Sequence, residues 1–353
     1  MFYNIKWPIK IFLFCERQFL CIFAQMINYC THIDISRSHF DVSYKDCLLF
    51  AGSCFADNIG DKMRESQFRV SVNPFGVLYN PLSVASVFRR LLKPEPFVDN
   101  NLFYYDGMYH SFMHHGKFSG TSVEGSLNKI NESLASSVEH FHATDYLIIT
   151  FGTAYVFRFK ESGHVVSNCH KLPAAQFERE LLTVDRIIET WTDLLEDLWA
   201  EKPSLKVIFT VSPIRHLKDG AHFNQISKST LLLAQQSLVD KYPGRISYFP
   251  AYELMMDELR DYRFYASDMI HPSEIAINYI WERFCDTYMD SGTKNAMKEV
   301  ENICRALKHR PLNPSTEAYK QFLIQTMQKI QLLQDKYPYI CLSESEILNN
   351  LQR

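Results

Sequence analysis

The chain has 353 residues, of which 46% are hydrophobic and 22% charged, and its formal net charge is −3. That length allows a large core, either one big domain or a domain with an appended part, and the composition is globular rather than disordered or repetitive. A slightly acidic chain has no general attraction for nucleic acid or anionic membrane, and short basic clusters such as Arg89, Arg90 and Lys93 read as a solvated helix face. The nine cysteines are odd in number and scattered, with no C-x-x-C pair, so neither a zinc site nor a disulfide framework is indicated. This usage favours a reducing, cytoplasmic compartment.

Residues 1–25 complicate that reading, because they are apolar and aromatic, carry Lys6 and Lys10, and look faintly like an export signal. Against export, Glu16 and Arg17 interrupt the stretch, and nothing reaches the roughly 18 to 20 apolar residues of a membrane span. Translation that begins at Met26 is a third reading. Residues 1–45 are therefore set apart as an N-terminal extension, with export kept open.

The first convincing buried strand is Leu48 to Ala51; it ends on Gly52 and Ser53, and the amphipathic stretch to Arg64 predicts strand, tight turn, helix. Asn73-Pro74-Phe75-Gly76 and Asn80-Pro81 mark a shaped loop, since Asn-Pro leaves the helical region and Gly76 permits positive φ. A helix follows from Leu82 to Leu92, with Val84, Val87, Phe88 and Leu91 on one face. Pro94 to Gly120 is aromatic and irregular and predicts hairpin or loop, and Asn128 to His140 reads as helix. Asp145 to Phe151, followed by Gly152-Thr153, repeats the pattern of a strand buried on both faces. Val156 to Phe159 and His164 to Val166 suggest a hairpin around Gly163, and Val184 to Trp199 a strong helix.

Lys206 to Val211 is a third buried strand, stopping at Ser212-Pro213; a helix from Asn224 to Tyr242 and a strand from Arg245 to Phe249 come next. Glu253, Asp257, Glu258 and Asp261 read as a solvated helix face, and Ser267 to Pro272 leads into a helix from Ile275 to Tyr288. Strands alternating with helices of this length predict a parallel sheet covered on both faces. Residues 46–292 would form that domain. Residues 293–353 hold no strand candidate and predict a helical C-terminal subdomain with Phe322, Ile324, Met327, Ile330 and Leu333 as its buried stripe.

Active groups in such a sheet gather at the carboxyl ends of the strands, and Ser53, Gly152-Thr153 and the pair Asp268 and His271 all fall there. An Asp and a His three apart in a turn can meet, so that the carboxylate holds Nδ1–H and leaves Nε2 to take the Ser53 proton. Each part also has a plain structural reading, Ser53 as a helix cap and Asp-x-x-His before Pro272 as a capped turn. Cys54 is a rival nucleophile at the same helix start, but neighbouring side chains there diverge and a buried thiol is the common outcome. His110, His114 and His115 invite a metal reading that no H-E-x-x-H or cysteine pair supports, and they are taken as surface or loop residues. Arg215 can bind an anionic group or brace a carboxylate. With neither a G-x-x-x-x-G-K nor a G-x-G-x-x-G motif, no nucleotide cofactor is expected, and no metal.

Gly52-Ser53-Cys54-Phe55-Ala56 spells the signature of the GSCFA family, a branch similar to the SGNH or GDSL-like hydrolases. Asn73 to Gly76, Asn80-Pro81, Phe151 to Ala154, Asn168 to Lys171, Ser212 to His216 and Asp261 to Ser273 resemble that family in order, over about Asp46 to Tyr288. The resemblance implies a flavodoxin-like three-layer α/β/α sandwich with a central parallel sheet, and it matches Ser53 to the nucleophile and Asp268 and His271 to its partners. It also implies ester hydrolysis, with O-acetylated carbohydrate as the substrate class, or O-acyl transfer to an alcohol. SGNH hydrolases generally carry Gly-x-Asn after a middle strand, the asparagine donating to the oxyanion hole, whereas this chain has Gly152-Thr153-Ala154. The candidate replacements are the N–H groups of Ser53 and Gly76, the Thr153 hydroxyl or N–H, and the side chains of Asn168 and His170. An unreplaced donor would favour a noncatalytic glycan-binding module on the same fold. Substrate, acyl group and oligomeric state stay open.

Overall fold

The computed structural model describes residues 31–313, 315–340 and 342. The alternative readings of residues 1–25 lie outside them. In chain order the strands are β1 (Cys47–Gly52), β2 (Arg69–Val72), β3 (Phe103–Tyr105), β4 (Met108–His110), β5 (Tyr146–Phe151), β6 (Tyr155–Phe159), β7 (Val165–Val166), β8 (Phe177–Leu181), β9 (Lys206–Val211) and β10 (Ile246–Phe249). The helices are α1 (Cys54–Glu65), α2 (Pro81–Leu92), α3 (Val123–Ala143), α4 (Val184–Glu201), α5 (Ala221–Lys241), α6 (Ala251–Glu253, continued by a π-turn over Leu254–Glu258), α7 (Glu274–Tyr288), α8 (Ser291–Leu307) and α9 (Glu317–Lys336).

The central sheet runs β2-β1-β5-β9-β10, every pair parallel. Numbered within the sheet this is the order 2-1-3-4-5, the flavodoxin-like arrangement whose direction of growth reverses between β1 and β5. The strands read as continuous apolar runs because both faces are covered, and successive side chains go to opposite layers. Leu49, Ala51, Leu147, Ile149, Phe151, Val207 and Phe209 point into a core with residues of α2, α3, α4 and α5. Leu48, Phe50, Tyr146, Ile148, Ile208 and Phe249 point the other way, toward α1, α7, α8 and α9. On the first side Trp191 of α4 is wholly buried and meets Phe88, Phe151 and Phe209 edge-on at 6.2, 5.2 and 5.2 Å. Each fully buried side chain of this size contributes on the order of 1.5–3 kcal/mol.

Two smaller sheets flank the sandwich. The β3–β4 hairpin turns at Asp106-Gly107, both at positive φ, and β7-β6-β8 forms a three-stranded antiparallel sheet between β5 and α4. Strands β2 and β8 escape a reading by apolar runs: β2 is a short, half-buried edge, and β8 spells Phe-Glu-Arg-Glu-Leu. Helix α3 begins five residues before the predicted Asn128, at Val123, because Ser122 caps it by accepting from Gly125 N at 3.1 Å.

Three readings need correction. On α9 the buried line is Thr326, Ile330 and Leu333, whereas Ile324 and Met327 lie off it and are 48% and 52% exposed. Glu253 and Glu258 are not on a solvated face: Tyr248 donates its hydroxyl to Glu253, and the enclosed Glu258 pairs with Arg283 of α7. His114 lies in a loop, one of the two expected placements, but not at the surface: it is 1% exposed and stacked on Phe75, and burial drives its pKa down to about 3. No helix among the described residues is long and apolar enough to cross a membrane.

Candidate active site

The carboxyl ends of β1, β5 and β9 meet at one edge of the sheet. Gly52 closes β1 at φ +138° and is held on both sides, its N–H donating to Asn73 Oδ1 and its carbonyl accepting from Leu78 N, each at 2.8 Å. Asn73 in turn donates to Asp57 Oδ1 in the first turn of α1 at 2.6 Å. Ser53 is the N-cap of α1 in extended conformation, and its Oγ accepts from Phe55 N at 3.3 Å. The hydroxyl thus lies at the positive end of a twelve-residue helix, where developing negative charge is favoured.

Asp268 and His271 lie on the loop that enters α7. Asp268 Oδ1 accepts from the main-chain N–H of Ile270 and of His271, both at 2.9 Å, and Oδ2 accepts from His271 Nδ1 at 2.6 Å. The turn is pinned by Ala266 N donating to His271 O at 2.7 Å, with Met269 at φ +57°. Those hydrogen bonds, the one from His271 N foremost, hold the Asp268 carboxyl down at about 2, so it stays ionised as an imidazole orienter must. With Nδ1 engaged, Nε2 is the nitrogen left for proton transfer.

Ser53, Thr153 and His271 line one cleft of about 440 Å³, walled by Tyr79, Tyr155 and Phe157 and rimmed by Arg179, Arg215 and Lys218. Among the described residues no hydrogen bond joins Ser53 Oγ to His271. A larger groove of about 1080 Å³, among α1, α7 and α8, holds none of the strand-end residues.

The expected oxyanion donors fare differently. Ser53 N donates to Thr150 O at 3.1 Å, Gly76 N to Asn73 O at 2.8 Å, and Gly152 N and Thr153 N both to Tyr79 O at 2.7 and 3.1 Å. Ala154 N donates to Ser227 Oγ, which also pairs with the Thr153 hydroxyl at 3.0 Å. Gly76 packs against His115 and is not part of the cleft wall. Asn168 and His170 are not brought to Ser53 either: Asn168 Oδ1 accepts from His170 N at 2.9 Å, and the buried His170 ring bonds Ser111 O at 2.8 Å, fastening the loop after β7 to the segment after β4. The Cys54 thiol is pushed up to about 11 by burial first and by Asp57 second, which leaves it an unreactive neighbour.

Two site residues escaped the sequence reading. Lys228 of α5 is wholly buried and donates to Gly152 O and Ser212 O at 2.7 and 2.8 Å, joining the ends of β5 and β9. Its signal was a lysine among the inward positions Lys228, Leu231, Gln235 and Leu238 of α5. The other is His216, last residue of the Ser212-Pro213-Ile214-Arg215-His216 block, whose ring borders the cleft.

Burial pushes the Lys228 ammonium down to about 7 from 10.5. Between those values the unfolded chain binds the proton that the folded protein has shed, so stability rises with pH across that window by up to about 1.4 kcal/mol per unit. Urea midpoints measured from pH 7 to 9.5 should therefore climb in the native protein relative to Lys228→Met; parallel curves would count against a charge-destabilised lysine.

A parallel 2-1-3-4-5 sheet between two helical layers, with a cleft over the carboxyl ends of β1, β5 and β9, makes this a flavodoxin-like α/β protein. The model of the GSCFA family matches residues 47–284, and that of the GSCFA domain protein, C-terminal domain, matches residues 300–349. The chain belongs to the GSCFA family. Among solved structures it is similar to a carbohydrate esterase family 3 from Talaromyces cellulolyticus, at 8% identity and TM-score 0.32, over 73% of this chain and 99% of that one. It is also similar to an acetyl xylan esterase from the rumen bacterium Butyrivibrio proteoclasticus, at 10% identity and TM-score 0.36, over 69% of this chain and 64% of that one. No curated protein sequence matches it. What the cleft does therefore rests on its own chemistry.

Proposed function

We propose that this protein is a serine esterase that cleaves a small acyl ester by way of an acyl-enzyme. The observation that carries the reading is a single cleft shared by a serine at a helix N-terminus and by a histidine whose Nδ1 is held by an ionised aspartate at 2.6 Å. Ser53 Oγ attacks the ester carbonyl as His271 Nε2 takes its proton. The imidazolium, stabilised by Asp268, returns that proton to the departing alcohol as the C–O bond breaks. Water then repeats the sequence on the acyl-serine and releases the acid. The cleft's aromatic wall of Tyr79, Tyr155 and Phe157 offers flat apolar surface beside hydrogen-bond donors, which suits an O-acetylated carbohydrate. An alcohol that outcompetes water would turn the same chemistry into O-acyl transfer.

One observation favours a second reading. The N–H groups of Ser53, Gly152, Thr153 and Ala154 are already engaged, as a glycan-binding module without hydrolysis would allow. A fluorophosphonate probe decides between the two. The esterase reading expects covalent labelling of the native chain that disappears in Ser53→Ala; no labelling of the native chain favours the binding module, and labelling that persists in the variant removes Ser53 from the mechanism.

A further inference from the structure

We infer that His216 holds the oxyanion created at Ser53, donating from its Nε2–H at the place where Ala154 offers no side-chain amide. The inference rests on the serine-esterase reading. Its first support is an accounting of donors: the N–H groups of Ser53, Gly76, Gly152, Thr153 and Ala154 all have protein acceptors, and the Thr153 hydroxyl is paired with Ser227 Oγ. At this edge the Cys54 N–H, at the first helical position of α1, has no intrahelical acceptor. A second donor must come from a side chain. His216 Nε2 is enclosed and, among the described residues, has no hydrogen-bond partner. It also lies where a donor is wanted, since a Cβ added to Gly152 would stand only 3.2 Å from it, and the ring shares the cleft with Ser53 and His271.

The ring is positioned rather than loose. Its edge meets Tyr79 at 5.5 Å and 80°, and His216 N donates to Asn224 Oδ1 at 2.8 Å. The ionisable groups facing it are Lys228, Asp219, His271 and Arg179, and burial first, with Lys228 second, drives its pKa down to about 4. A neutral imidazole carries one N–H and does not surrender it, so the proton count of the reaction is unchanged. As the ester C=O π pair moves onto oxygen, the hydrogen bond shortens and strengthens; as the tetrahedral intermediate collapses, the pair returns and the bond relaxes. That is stabilisation of the transition state over the ground state. An apolar residue here would leave the oxyanion with one main-chain donor.

The test uses the full chain, p-nitrophenyl acetate and a fluorophosphonate, with His216→Leu and His216→Gln beside the native protein. His216→Leu should lower kcat by roughly 100- to 1000-fold while KM moves little, and it should slow phosphonylation of Ser53 in parallel. His216→Gln, which restores a donor of similar reach, should regain at least about tenfold over the leucine variant, a rescue that a purely structural role would not give. A leucine variant that melts like the native protein and reacts within about threefold of it overturns the inference. If leucine prevents folding, the glutamine variant stands alone: retained phosphonylation supports the donor role, and a folded variant at the uncatalysed rate overturns it. Activity that survives His271→Ala but not His216→Gln makes His216 the base and overturns it too. A native chain that never labels at Ser53 removes the esterase reading and this one together, whereas a labelled native chain with an unaffected leucine variant removes this one alone.

Discussion

Replacing Ser53 by alanine should lower kcat/KM for a small acetyl ester by on the order of 10⁵- to 10⁶-fold, the loss seen when one member of a unit that forms the covalent intermediate is deleted. The fold should survive the change. Ser53 Oγ caps α1 with a single long bond from Phe55 N, and losing a cap costs about 1 kcal/mol. Circular dichroism and a thermal midpoint lowered by a few degrees would separate that small stability cost from the kinetic one. Rescue by Cys54 is not expected, because a thiol pushed up to about 11 supplies almost no thiolate near neutral pH. Mass spectrometry of acid-quenched reactions should find the acyl group on Ser53 in the native chain and nowhere in the variant. A Ser53→Ala protein that keeps more than about 1% of native activity would sink the acyl-enzyme mechanism.

Gly52→Ala should be the most damaging one-methyl change at this edge. A Cβ on Gly52 would stand 2.0 Å from Thr150 O and 2.8 Å from its carbonyl carbon, both main-chain atoms of the paired strand β5. With φ at +138°, the residue also occupies backbone space that L side chains rarely enter. Rotation of a side chain cannot relieve such a contact; β1 and β5 would have to part. The Gly52 N–H to Asn73 bond, the Gly52 carbonyl to Leu78 bond and the Ser53 N–H to Thr150 bond would go with that register. A loss above about 4 kcal/mol is the expected size for a clash of this kind, large against the stability of a typical domain. Chemical denaturation would show it, and expression as inclusion bodies would be its coarse form. A Gly52→Ala protein with a native denaturation midpoint would mean that the two strands can separate at this end without cost.

Much of this was legible because the sheet is buried on both faces. The apolar runs ending at Gly52, Phe151 and Val211 announce β1, β5 and β9, and their carboxyl ends mark where Ser53, Thr153 and His271 converge. The Asp-x-x-His spacing was equally readable, since a three-residue turn is local. What escaped was everything that depends on tertiary partners. Whether the Thr153 N–H is free is decided by where Tyr79 O comes to rest, which no local pattern records, whereas the Gly76 N–H closes the local turn onto Asn73 O. Asn168 and His170 look equally polar in sequence whether they face a cleft or fasten a hairpin. Lys228 and His216 owe their character to enclosure, and a lysine on a helix gives little sign that both of its acceptors will be carbonyls at the ends of two different strands.

The antiparallel sheet of β6, β7 and β8 leaves the main body at Phe151 and rejoins it at α4, and on the way it furnishes Tyr155, Phe157 and Arg179 to the cleft. Ser53 and His271 come from other parts of the chain, on either side of this excursion. On the proposed esterase reading, the residues that would contact the ester's flanks and those that would handle its proton thus come from separate stretches of sequence. If that reading holds, exchanging residues 154–182 should change which ester is accepted more than how fast the bound ester reacts.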